Sequence, residues 1–369
     1  MADPRITKLA HLLVDYSSHV QPKDQVAILG SPASTPLVAA VYERVLERGA
    51  YPNVVMTFPG QNEIFFRVAN DDQLTYISPM QDAIFNTFDA YINTGGTTNT
   101  RELSGIDPKR QALWQKGREP IMKVYMERGA AGTFKWCGTS YPTEALAQEA
   151  EMSLRNYEDF VYTACHVASD DDPVAYWQQF SAMQAKLINY LKGKHNVEVR
   201  GPNVEMTLSI TDRTFINADG KHNMPDGEIF TGPVEDSVNG WVRFTYPAVV
   251  QGRVVEGVEL TFENGRVVTA TAKKNEDFLL RMLDTDPGAR YLGEWAIGTN
   301  MDIQQFTKSI LFDEKIGGTI HMAVGRGYPE TGSKNVSAIH WDMICDMKDG
   351  GEIFVDGELF YRSGQFMVL

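Results

Sequence analysis

The hydrophobic pattern of this 369-residue chain changes period near residue 195. Before that point, short apolar runs alternate with segments whose apolar residues recur at helical spacing. After it, apolar and polar residues alternate one by one, as in strands with one buried face. A chain this long exceeds what one hydrophobic core usually fills. Two domains are therefore predicted: an N-terminal α/β domain over 1–195 and a C-terminal domain over 196–369.

In the first half, residues 6–16 place Ile6, Leu9, Ala10, Leu13 and Val14 on one helical face. A short strand is predicted over 25–29, a helix over 34–48 stopped by Gly49, and further strands over 53–58 and 89–93. Such alternation implies a mostly parallel sheet flanked by helices. Helical content continues over 142–162. A long helix is predicted over 170–192, opened by the acidic cap Asp170-Asp171-Asp172 and Pro173 and closed by Gly193. In the second half, Val204, Met206, Leu208 and Ile210 alternate, and 260–262 and 267–269 form a hairpin around Asn264-Gly265. A short helix is predicted over 275–283, with extended segments over 318–324, 338–344 and 352–362. The second domain thus reads as α+β, rich in antiparallel strands.

The formal net charge of −14 argues against a nucleic-acid or anionic-membrane surface. No apolar run is long enough for a transmembrane helix, and the first residues lack the features of a secretory leader. Cys137, Cys165 and Cys345 are far apart and odd in number, so neither a disulfide framework nor a cysteine metal site is indicated, and a reducing cytoplasm is the simplest setting. There is no G-x-S-x-G elbow, no H-E-x-x-H and no phosphate-binding glycine fingerprint.

Two of the seven histidines, His321 and His340, fall within twenty residues of each other. His340 stands two positions before Asp342, so a strand would aim both at one face. Glu228, in D-G-E-I-F-T, and Glu294, in L-G-E-W, lie upstream, and Tyr328 lies between the histidines. Zinc, cobalt and manganese accept imidazole nitrogen and carboxylate oxygen. Two such ions sharing a water would need about this many ligands, and a nearby tyrosine could donate to a developing oxyanion. Each residue also has an ordinary explanation: a structural strand histidine, a turn carboxylate at Glu228, a helix cap or solvated charge at Glu294, a loop aromatic at Tyr328. The pattern alone does not name a reaction.

At these residues the chain resembles the M29 family of metallo-aminopeptidases. The likeness runs through Asp226-Gly-Glu-Ile-Phe-Thr231, Leu292-Gly-Glu294, Ile297-Gly-Thr-Asn300, Phe312-Asp-Glu-Lys315, Gly318-Thr-Ile-His321, Tyr328-Pro-Glu-Thr331 and Asn335-Val-Ser-Ala-Ile-His-Trp-Asp342. In the first half it includes Gly49-Ala-Tyr-Pro52, Trp136-Cys-Gly138 and Tyr141-Pro-Thr143. The resemblance implies removal of N-terminal residues from peptides with two divalent metal ions, zinc, cobalt or manganese. It implies metal ligands at Glu228, Glu294, His321, His340 and Asp342, and catalytic roles for Tyr328 and for Glu294, the carboxylate that carries the proton. It also implies a homodimer whose active sites face an internal cavity. The same scaffold resembles ring-cleaving dihydroxypyridine dioxygenases, for which His321, His340 and Asp342 would hold a single ferrous ion. The presence of Glu228, Glu294 and Tyr328 favours the peptidase.

Overall fold

The computed structural model describes residues 3–250 and 252–368. The chain forms two compact units, one of Met1–Tyr176 with Gly220–Pro225, the other of Trp177–Asp219 with Asp226–Leu369. The divide falls in the first turn of the helix Pro173–Leu191. The boundary at 195 read from the sequence lies just beyond that helix's other end. Leu187 and Leu191 join the core of the second unit, which assigns most of the helix to it. Asp172 starts the helix by accepting the Val174 N–H at 2.9 Å, the cap expected of the acidic run.

The first unit is built on a parallel sheet ordered Tyr51–Met56, Gln25–Gly30, Ala90–Asn93, Lys135–Thr139 and Asn223–Met224. Val26, Ala27 and Ile28 are fully buried at its centre. The opening helix, Pro4–His11, is capped by the Asp3 carboxylate and runs on as a π-helical turn, Leu12–Ser17. The helix Thr35–Glu47 is followed by Gly49 at φ +73°, a left-handed stop suited to glycine. The predicted stretch 142–162 is two helices, Glu144–Glu149 and Leu154–Ala164. Glu151 at φ +61° ends the first, and the Ser153 hydroxyl caps the second by accepting the Asn156 N–H. The two-residue strand Asn223–Met224 carries no periodicity and was not predicted.

The second unit is two large antiparallel sheets and a two-stranded ribbon, Ala248–Val250 with Arg253–Val255. The larger has eight strands, including Asn196–Gly201, Val204–Ser209 and the hairpin Glu259–Glu263 with Arg266–Thr271. Asn264 and Gly265, at φ +47° and +81°, supply the hairpin turn with the positive φ pair it requires. The smaller sheet is ordered His340–Asp346, Thr319–Gly325, Leu292–Gly298, Glu228–Thr231 and Ile216–Ala218. One apolar core unites them: Val197, Val199, Val204, Met206 and Leu208 from the larger sheet, and Ile229, Trp295, Ile297, Ile320, Met322 and Trp341 from the smaller. This α/β plus antiparallel α+β architecture is the fold class expected from the sequence.

Candidate metal centre

The smaller sheet has two chemically opposite faces, and strand register explains why. Across the sheet, Gly298 stands opposite Glu228, Ala296 opposite Phe230 and His321, and Ala323 opposite Glu294 and Asp342. Gly325 stands opposite His340. Directly paired residues point to the same side, so Glu228, Glu294, His321, His340 and Asp342 share one face. The alternate residues Ile229, Trp295, Ile297, Ile320, Met322, Trp341 and Met343 fill the core. The small Ala296 and Ala323 leave room among the polar side chains.

A bulge makes this arrangement possible at Glu294. Leu292 pairs with Val324 and Glu294 with Ala323, so Gly293 is an extra residue in its strand. Without it, Leu292 and Glu294 would point the same way. With it, Leu292 enters the core and Glu294 joins the polar face. Gly293 must be glycine on steric grounds, since a Cβ there would lie 2.2 Å from the Arg326 carbonyl oxygen. That same oxygen accepts the His340 Nδ1–H at 2.7 Å, which turns Nε2 toward the cluster. Gly293→Ala is therefore expected to push Arg326 away and release His340. We expect a stability loss of about 1–3 kcal/mol by denaturant titration, together with weaker metal retention in equilibrium dialysis. Unchanged metal retention would refute the coupling.

The ligand atoms form two groups that share Glu294. His321 Nε2 lies 2.9 Å from Glu228 Oε2 and 3.6 Å from Glu294 Oε1. His340 Nε2 lies 3.2 Å from Glu294 Oε2 and 3.5 Å from Asp342 Oδ1. In each triad, Glu228–Glu294–His321 and Glu294–His340–Asp342, one ligand atom per residue falls within 4.8 Å of the others. Among the described residues, His321 and His340 fall in different triads, each with Glu294. Glu228 Oε2 and Asp342 Oδ1 are buried and, although His321 Nε2 and His340 Nε2 stand 2.9 and 3.5 Å away, neither oxygen makes a well-aligned hydrogen bond. Buried carboxylate oxygens rarely stay unsatisfied. Together with imidazole nitrogens a few ångströms away, they are a donor set that fits divalent cations.

Two residues the sequence reading assigned no role complete the face. Glu314 forms a third group with His321 and Asp342. Lys315, fully buried, pairs with Glu314 and lies 3.8 Å from Glu228 Oε1. Both belong to the Phe312-Asp-Glu-Lys315 stretch, but nothing in their spacing signals burial. A third is Gln184, whose buried amide donates to the Glu228 carbonyl at 2.9 Å and to Thr299 Oγ1 at 3.0 Å, fixing the start of the Glu228 strand.

Charge balance in the cluster follows from proximity. Burial works against charge on His340, yet Asp342 and Glu294 push it up to about 11. His321 is likewise raised, by Glu228 and Glu294 against burial. Burial favours protonation of Glu228, but Lys315 and His321 hold it below the usual carboxylate range. Glu314 is pushed up to about 8, chiefly by burial. Tyr328, whose ring lies 5.0 Å from that of His340 and 5.5 Å from that of Phe230, is raised by burial and by the neighbouring carboxylates. It is thus a neutral hydroxyl donor at neutral pH.

The chain is 28% identical to Aminopeptidase 2 of Geobacillus stearothermophilus, over 99% of this chain and 98% of that one. It is 24% identical to Aminopeptidase T of Thermus aquaticus, over 96% and 94% respectively. Its fold matches wild-type AmpT from Thermus thermophilus with a TM-score of 0.82 at 23% identity, covering 99% of each chain. It matches 2,5-dihydroxypyridine dioxygenase from Pseudomonas putida KT2440 less well, with a TM-score of 0.62 at 16% identity, over 99% and 97%. The family model for thermophilic metalloproteases (M29) matches residues 2–366, a span that holds the whole polar face; the chain belongs to the M29 metalloprotease family.

Proposed function

We propose that the polar face of the smaller sheet is the catalytic centre of a metal-dependent aminopeptidase and that it binds two divalent cations, zinc, cobalt or manganese. The observation that carries this reading is the two-sided Glu294, with one oxygen toward His321 and the other toward His340. Glu228, His321 and Glu294 would hold one cation, and Glu294, His340 and Asp342 the other. The cations supply Lewis acidity, which acidifies water and polarises a peptide carbonyl. The chain's own groups do the rest. The Arg326 carbonyl fixes the His340 tautomer. The neutral Tyr328 hydroxyl donates to the oxyanion that forms on the attacked carbonyl. A buried carboxyl carries the proton to the departing amine: Glu294 in the family resemblance, with Glu314, grouped with His321 and Asp342, a second carboxyl within the site.

The substrates are peptides with a free amino terminus, and the second unit is the catalytic domain. A homodimeric state and residence in the cytoplasm belong to the same proposal. The first rests on the family resemblance and is read by light scattering; the second rests on cysteine usage.

The test is metal removal and return. Chelator-stripped protein is expected to lose release of the N-terminal residue from leucine p-nitroanilide and short peptides. Cobalt, zinc or manganese should restore it, with elemental analysis finding two ions per chain. One iron per chain, with cleavage of a dihydroxypyridine ring and no peptide hydrolysis, would overturn the proposal in favour of the oxygenase.

A further inference from the structure

The loop from Gly325 to His340 carries Tyr328, and its two halves are held by different carboxylates outside the metal face. Asp286 holds the half leading to His340, accepting the Ala338 N–H at 2.7 Å and the Ser337 hydroxyl at 3.0 Å. Glu235 holds the half that returns from Tyr328. Its Oε1 accepts the Lys334 N–H at 2.6 Å and the Ser333 hydroxyl at 3.4 Å. Its Oε2 accepts from Arg213 Nη2 at 2.6 Å. The Arg213 side chain is only 6% exposed and that of Glu235 26%, so the guanidinium end of this ion pair is shielded from solvent.

Everything around Ser333 ties this anchor to Tyr328. A Cβ on Gly327 would lie 1.9 Å from Ser333 Oγ, and one on Gly232 would lie 2.6 Å from Ser333 Cβ. Ser333 therefore occupies a slot that exists because both neighbours lack side chains. Gly327 directly precedes Tyr328. On the other side of the turn, the Thr214 N–H, next in sequence to Arg213, donates to the Thr331 carbonyl at 3.0 Å. Thr331 in turn donates to the Tyr328 carbonyl through its N–H at 3.0 Å and its hydroxyl at 2.6 Å. Gly332, at φ +88°, closes the short 3-10 turn Pro329–Thr331 against Asp212 and Arg213. Both ends of the Tyr328 turn thus lead to the Arg213–Glu235 pair.

We infer that Arg213 and Glu235 are positioning residues for Tyr328, setting where its hydroxyl stands over the metal face without taking part in metal binding. The inference rests on the role proposed above for Tyr328. Misplacing a catalytic group by about 1 Å can cost about 100-fold in rate, so a loosened turn should act on turnover. Metal retention should be spared, because the ligands sit on strands and the His340 half of the loop has its own anchor in Asp286.

The experiment compares E235A, E235Q, Y328F and the E235A/Y328F double variant as metal-loaded protein on leucine p-nitroanilide, with metal content and Tm measured alongside. E235A is expected to lower kcat by about 10- to 100-fold, leaving KM within about two-fold and metal content at the native level. E235Q keeps an acceptor for the Lys334 N–H but loses the charge facing Arg213. It should fall between E235A and native, and it carries the test alone if E235A does not fold. In the double variant the losses should not multiply, because both changes disable the same group. Native kcat in both Glu235 variants would overturn the inference. So would losses that multiply with Y328F, or a fall in kcat that merely tracks lost metal. If Y328F itself turns over normally, the tyrosine role fails and the inference falls with it, while the metal assignment is judged separately by chelation.

Discussion

Replacing Glu294 with glutamine is expected to lower kcat by on the order of 1,000-fold or more and to leave at most one tightly held cation per chain. Glu294 is the only residue common to the Glu228–His321 triad and the His340–Asp342 triad. A glutamine has nearly the same shape but offers one ligating oxygen and an amide nitrogen that cannot bind a cation. It can serve one side of the cluster or the other, not both. The side chain is almost fully buried, yet the backbone it stands on is fixed by the Gly293 bulge and by pairing to Ala323, so the fold should survive. Steady-state kinetics, elemental analysis and circular dichroism on one preparation separate these effects. Activity above a tenth of native with two cations retained would show that Glu294 does not bridge. Loss of activity with loss of fold would be uninformative, and Glu294→Asp, which keeps both oxygens on a shorter stem, is the companion variant.

Why this residue carries so much was only partly legible in the sequence. The spacing His340-x-Asp342 declared a shared strand face, and the structure has those two side chains 3.5 Å apart. The same period-two logic applied to Leu292-Gly293-Glu294 would put the leucine and the glutamate on one side. It fails because a bulge is a property of the paired strand, set by the register against Val324 and Ala323 rather than by local spacing. The alternation of helix and strand before residue 195, the Asn264-Gly265 hairpin and the strand over Val204–Ser209 were readable because each is a local pattern. The two-residue strand Asn223–Met224 and the burial of Gln184 are not, since each depends on partners distant in sequence. Drawing Glu228, Glu294, His321, His340, Asp342 and Tyr328 together took the family resemblance, and the structure then showed five of them on one face with Tyr328 packed beside it.

Replacing Lys315 with methionine is expected to destabilise the chelator-stripped protein by about 3–5 kcal/mol, the usual cost of removing one partner from a buried ion pair. Lys315 is fully buried, with Glu314 on one side and Glu228 on the other. Glu228 is grouped with Glu294, and Glu314 with Asp342, in the ligand clusters of the polar face. Methionine fills the volume but leaves the acidic groups to repel one another. The chain can relieve this by protonation, and that fixes the sign of the pH dependence. Glu314 is already raised from 4.5 to about 8. A carboxyl with a raised folded pKa contributes stability that is complete below its unfolded value and is lost as pH rises through the folded one. The His321 and His340 imidazoles, also raised, act in the same direction above 6.5. Glu228 and Asp342, held low, give up their contribution only at acid pH, below the usual carboxylate range. Stripped native protein should therefore weaken as pH climbs from about 6 to 8, and the Lys315→Met variant should weaken more steeply, because without the ammonium Glu314 is raised further. Bound cations supply the missing positive charge, so saturating zinc or cobalt should recover much of the loss through linkage. Urea titrations at pH 6 and pH 8, with and without metal, test all three statements. A variant as stable as native in chelator at pH 8 would mean that Lys315 does not balance the charge of this face.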